Sequence, residues 1–269
     1  MRIAIFRGIA IAFAIAGFGI PAAHADRSCE TKKASVQSVT NGLALAEKTI
    51  SALDAAGSDV VVLARAGQDL SKHGLHYSHL GFAYRVPTEG GRHAWRVVHK
   101  LHQCGTARSA LYRQGLGEFF LDDPWRYEAA YVVPSKAVQP RLMALLQDDA
   151  AIVRLHHAPY SIVSYAWGTR YQQSNQWAIE TLARAMAPDI TTRRQAQAWL
   201  QHADYRPTTL QLGTFTRLGA RMTASNVAFD DHPSEKRFAD RIDTVTVDSV
   251  FDWLERSGLG GQMVSVTVP

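Results

Sequence analysis

The chain has 269 residues, 46% hydrophobic and 20% charged, with a formal net charge of +5. That length allows one large domain or two small ones, and the apolar and charged fractions exclude a disordered tail, a coiled coil and a collagen-like fibre. Without the two arginines of the first segment, 27 basic residues face 24 acidic ones, a net +3 too weak and scattered to imply a nucleic-acid partner.

Residues 1–25 read as an export leader. Arg2 and Arg7 precede an unbroken apolar run over residues 9–20, and Ala23-His24-Ala25 puts small residues where signal peptidase reads. Cleavage is expected before Asp26, giving a periplasmic or secreted chain of residues 26–269; a retained N-terminal anchor is the alternative. The run is shorter than the roughly 20 residues of a membrane helix, and no later segment is long and apolar enough to span a bilayer. Export favours pairing of the two cysteines, Cys29 and Cys104. One disulfide is expected, worth up to about 4–5 kcal/mol on the chain-entropy account. The competing reading makes Cys104 a reactive thiol with His99 or His102 as base.

Val36, Val39, Leu43, Ala46, Ile50 and Leu53 recur at three- and four-residue steps, which predicts an amphipathic helix over 35–56. Strands are predicted at 59–65, 79–85 and 95–101, with a polar connection over 67–77 and a Thr88-Glu-Gly-Gly91 turn suited to an antiparallel hairpin. Residues 113–122 carry Gly115, Gly117 and two phenylalanines and receive no assignment. A strand at 127–133, a helix from Val138, helices at 175–186 and 191–203, a short helix at 251–256 and a last strand at 263–268 complete a single α+β domain.

Chemistry is looked for first at three side chains. His79 opens one strand and His99 stands in the strand predicted to pair with it, so the register can bring the two rings together. Ser174 lies at the start of the 175–186 helix, where N–H groups favour negative charge. The same position suits a plain N-cap serine, which is the leading reading of the residue taken alone. Asn175 and Gln176 either donate to an oxyanion or complete the helix start. Trp167 and Trp177 flank Ser174 and either wall a cleft or belong to the core.

The order Ser58-Asp59-Val-Val-Val-Leu-Ala-Arg65, Tyr77-Ser-His-Leu-Gly-Phe82, 95–101, Tyr160-Ser-Ile-Val163 and Ser174-Asn-Gln-Trp177 resembles the circularly permuted NlpC/P60 group of papain-like proteins. The resemblance covers about 58–187. It implies a papain-like antiparallel sheet packed with helices, His79 as general base, His99 as the group orienting it, and Ser174 where that group carries its cysteine nucleophile. Tyr77, Trp167, Asn175, Gln176 and Trp177 then line the substrate site. A serine in the cysteine's place implies either a serine-type hydrolase or acyltransferase acting on an amide or ester, or a retired site that binds without cutting. The partner in both cases is a small molecule, peptide or lipid of the cell envelope, and no cofactor is expected. The run Tyr171-Gln-Gln-Ser-Asn-Gln-Trp177 and the phrase Phe229-Asp-Asp-His-Pro233 resemble the uncharacterised bacterial family DUF2145.

A third reading is metal binding. His73-x-x-His76-x-x-His79 and His99-x-x-His102-x-Cys104 carry ligand types at short spacing, but Gly74 works against a helix that would converge them. Asp230-Asp231-His232 reads either as a metal or triad element or, more commonly for such a cluster before Pro233, as a turn with a solvated carboxylate pair. Arg217, Arg221, Lys236, Arg237 and Arg241, mixed with acidic residues, read as a salt-bridged surface, with an anionic cell-wall or lipid substrate as the alternative.

Overall fold

The structure is a computed structural model that describes residues 34–122 and 124–268. The expected leader, the cleavage position, Cys29 and therefore the Cys29–Cys104 pairing lie outside the described residues.

Helix α1 (Val36–Ala55) starts where the Ser35 hydroxyl accepts the Ser38 N–H at 3.0 Å, an ordinary N-cap. It leads into β1 (Val60–Arg65), β2 (His79–Pro87), β3 (His93–His102) and β4 (Ser109–Gly115), then the one-turn helix α2 (Leu116–Phe120) and β5 (Glu128–Val132). Helices α3 (Gln139–Gln147), α4 (Asp149–Val153), α5 (Ser174–Met186) and α6 (Arg193–His202) follow. The chain continues through β6 (Thr208–Gln211), α7 (Thr214–Thr223), α8 (Ser234–Phe238), β7 (Arg241–Thr244), α9 (Val247–Arg256) and β8 (Val264–Thr267). Six strands form one antiparallel sheet in the order β4-β3-β2-β1-β5-β8, and β6 pairs with β7 apart from it. The fold is α+β.

All six residues of β1 are buried, which is why Val-Val-Val-Leu-Ala reads as an unbroken apolar run: both faces of this central strand are covered. Val60, Val62 and Ala64 join Leu80, Phe82, Tyr84, Val98 and Trp177 in one core. Val61 and Leu63 join Ala83, Val97, Phe119 and Leu45 in the other. Helix α5 belongs to the first layer and buries eleven of its thirteen residues; α1 and α2 belong to the second.

The predicted helices and strands around β1, β2, β3, β5, α1, α3, α5, α6 and β8 form within a few residues of their expected bounds. The unassigned stretch 113–122 holds the end of β4 and α2, and α9 begins at Val247 rather than near 251. Helix α4 and the β6-α7-α8-β7 segment were not expected. Apart from α7 they are four or five residues long, too short for a period to show; the ten residues of α7 carry an apolar stripe that falls outside the predicted elements.

Gly81 lets β2 and β3 approach. A Cβ at this position would meet Val97 Cγ1 at 2.8 Å and His99 Cβ at 3.1 Å. Gly81→Val is therefore expected to lower stability by about 1–3 kcal/mol, read as a lower urea midpoint at unchanged m-value.

Candidate functional site

The start of α5 is a knot of hydrogen bonds. Gln173, not Ser174, is the N-cap, its side chain accepting the Asn175 N–H at 3.1 Å. Ser174 is the first helical residue, and its hydroxyl donates to the Lys100 carbonyl at 2.6 Å. The N-cap reading of Ser174 is thus corrected: its oxygen is turned toward β3 instead of its own helix. Asn175 accepts the Leu80 N–H at 2.9 Å and donates to the Ser78 carbonyl at 3.2 Å, bracketing the backbone of His79. Gln176 accepts from the Ser164 hydroxyl at 2.8 Å and donates to the Tyr165 and Ala166 carbonyls at 3.0 and 3.1 Å. The reason lies in the sheet. Pairing between β2 and β3 begins at Gly81↔His99, so backbone groups beyond that point lose their strand partners and must find others. The side chains of Ser174 and Asn175 supply them, which leaves neither Asn175 nor Gln176 facing an oxyanion.

His79 and His99 do meet, as the register predicted. His79 Nε2 lies 2.8 Å from His99 Nδ1, and His99 Nε2 lies 2.7 Å from Gln114 Oε1. An amide oxygen only accepts. The proton of His99 is therefore on Nε2, and its Nδ1 accepts from His79 Nε2–H. Phe119 packs on both rings, with centroids 5.1 Å from His99 and 6.0 Å from His79, and the Arg65 guanidinium lies 4.7 Å from the Phe119 centroid. Burial, then the nearby Arg65 charge, lowers the His99 pKa to about 4; the ring is neutral at pH 7.

The expected triad does not assemble. Side chains alternate across a strand, so His79 shares a face with Ala83, while Leu80 and Phe82 point to α5. Both imidazoles consequently stand in the α2 layer against Phe119, and Ser174 comes from the helix on the other side of the sheet. Its hydroxyl makes no hydrogen bond to either ring.

The other expected site residues are held by contacts within the fold. Tyr77 is buried, its hydroxyl donating to Ser265 Oγ at 3.2 Å. Trp177 is fully buried against Phe82 and belongs to the core, whereas Trp167 is half-buried at its margin, packing edge-on to Tyr205 at 5.9 Å. Along the histidine strings, His76 pairs with Glu128, His79 with His99, and His102 stacks on Tyr160. Among the described residues no three His, Cys, Asp or Glu side chains converge as a metal site. Asp230 is paired with Arg170, but Asp231 and His232 are inside: Asp231 accepts the Tyr165 N–H at 2.9 Å and His232 Nε2 donates to Val163 O at 2.7 Å. The solvated-turn reading of these two residues is corrected, because their side chains are 2% and 0% exposed. Of the five basic residues expected in a salt-bridged surface, Arg217 pairs with Asp240 and Lys236 with Asp243, each pair with one side chain nearly buried; no ion pair forms at Arg221, Arg237 or Arg241 among the described residues.

One polar cluster went unread. Lys100 is fully buried and donates to His157 O at 2.8 Å and Gln172 Oε1 at 2.6 Å. Gln172 Nε2 donates to Glu180 at 2.6 Å, and Glu180 also takes bonds from Arg193 Nε and Gln197 Nε2, each at 2.8 Å. Burial, then the Arg193 charge, lowers the Lys100 pKa to about 6. The signal was the alternation of β3, which places Lys100 on the buried face of Val98.

Two pH effects follow, both from folded-state pKa values below the unfolded ones. The unfolded chain binds protons first, so stability falls on acidification through each window. Between pH 6.5 and about 4 the His99 contribution is lost, about 3 kcal/mol on the pKa difference, and His99→Gln is expected to flatten that limb of a urea-midpoint titration. Between pH 7 and 9.5 stability is expected to rise with pH by up to about 1.4 kcal/mol per unit, and Lys100→Met to remove the rise.

Residues 52–254 match DUF2145, a family described as an uncharacterized protein conserved in bacteria. No curated protein and no solved structure matches the chain. With the phrases around Ser174 and Asp231 both inside the matched span, the chain belongs to the DUF2145 family.

Proposed function

We propose that this protein works at the bacterial cell envelope by binding, not by serine-nucleophile hydrolysis, on a core related to the permuted NlpC/P60 group. The leader-like first 25 residues support export to the periplasm or beyond. The order of β1, β2 and α5, with the SHLG and SNQW phrases on the latter two, supports the relationship. The carrying observation is the commitment of the Ser174 hydroxyl to the Lys100 carbonyl, on the other side of the sheet from the two imidazoles. A nucleophile must lie within hydrogen-bond reach of its base, and Ser174 is instead a structural bond at a strand opening.

A fluorophosphonate probe is expected to leave the wild-type chain unlabelled. Ser174→Ala is expected to cost about 1 kcal/mol of stability, the ordinary loss of one hydrogen bond. Labelling of wild type that disappears in Ser174→Ala would overturn the binding role and restore the hydrolase or acyltransferase.

A further inference from the structure

Helix α7 carries a face that the rest of the chain leaves uncovered. Phe215, Leu218 and Met222 are 90%, 55% and 79% exposed. At 100° per residue they fall within about 60° of one another, nearly opposite the buried Ala220 that seats the helix on Leu212, Phe229 and Ile242. Phe238, at the end of α8, is 87% exposed. Thr214 and Arg217 of α7 both bond to Asp240, two residues beyond Phe238, so the aromatic of α8 stands at the same corner as the stripe.

Charge around the corner is one-sided. The α7 sequence, TFTRLGARMT, has two arginines and no acid. Arg217 is neutralised by Asp240 and Lys236 by Asp243. Arg221 and Arg241 are exposed and Arg237 is half-buried, against Glu235 as the exposed acid of α8. The corner therefore combines large projecting apolar side chains with unneutralised guanidinium groups.

We infer that the α7–α8 corner docks on an anionic phospholipid surface, Phe215, Leu218, Met222 and Phe238 entering the interface and Arg221 and Arg241 meeting lipid phosphates. Phe215 and Phe238, 90% and 87% exposed, project from the protein with Leu218 and Met222 between half and four-fifths exposed beside them, a convex arrangement that suits a fluid interface better than a shaped peptide. A helix with aromatic and aliphatic residues on one side and arginines on its flanks lies in the headgroup region by apolar burial together with attraction to anionic lipid. This names a partner for the binding role proposed above and rests on that reading only for the envelope location. Loss of lipid docking would leave the fluorophosphonate result untouched, and labelling at Ser174 would leave the docking result untouched.

The test is co-sedimentation of the full-chain protein with vesicles of phosphatidylcholine alone and with equal parts of phosphatidylglycerol. Because any retained leader is common to every variant, differences between variants report on the corner. Wild type is expected to bind the phosphatidylglycerol vesicles about tenfold more tightly than the neutral ones, and less tightly as salt rises. Phe215→Ser with Phe238→Ser is expected to lose about tenfold on the anionic vesicles at unchanged circular dichroism and Tm. Arg221→Glu with Arg241→Glu is expected to lose the preference for the anionic vesicles. Absent binding, or equal binding by the serine pair, overturns the inference. So does a dimer in light scattering that the serine pair dissolves, which would assign the corner to a second copy.

Discussion

The amide of Asn175 holds the backbone on both sides of His79, and the architecture around β2 depends on that clamp. Where β2 and β3 cease to pair, three backbone groups are left inside the protein, the Ser78 and Lys100 carbonyls and the Leu80 N–H. A buried amide or carbonyl without a partner costs a few kcal/mol. The first turn of α5 answers this with side chains: Asn175 for Ser78 and Leu80, Ser174 for Lys100, Gln176 for the loop carbonyls of Tyr165 and Ala166. Polar residues that a reader would reserve for chemistry are thus used to join a helix, two strands and a loop.

The sheet also separates two electrostatic environments. On the α2 side, burial with Arg65 nearby holds His99 neutral, and Gln114 with His99 fixes how His79 is turned. On the α5 side, Lys100, Glu180 and Arg193 share one hydrogen-bonded network with Gln172 and Gln197. Removing one member of such a network strands its neighbours, so it specifies how the loop before α5 is seated more than it adds net stability.

Much of this was legible in the residues. The all-apolar β1, the periodic α1 and the pairing of His79 with His99 follow from spacing alone. The misplacement of Ser174 came from setting motif order above strand alternation: Leu80 and Phe82 are the large apolar residues of β2, and they had to face the tryptophan helix, which turns His79 away. Asp231 and His232 were misread because a short polar phrase before a proline looks the same in a solvated turn and in a buried one. The α7 stripe escaped because Phe215, Leu218 and Met222 resemble a core-facing pattern only when the helix is already known, and here the pattern faces outward.

Lys48 of α1 donates to the carbonyl of Thr267 in β8 at 2.7 Å, joining parts of the chain 219 residues apart. Strand β8 reaches the sheet only through β5, which lies more than a hundred residues earlier. A chain emerging from a ribosome therefore exposes the open edge of β5 until β8 has been made. An unpaired strand edge is a template for pairing with another chain, so the order in which β5 and β8 appear sets an interval in which this edge needs cover.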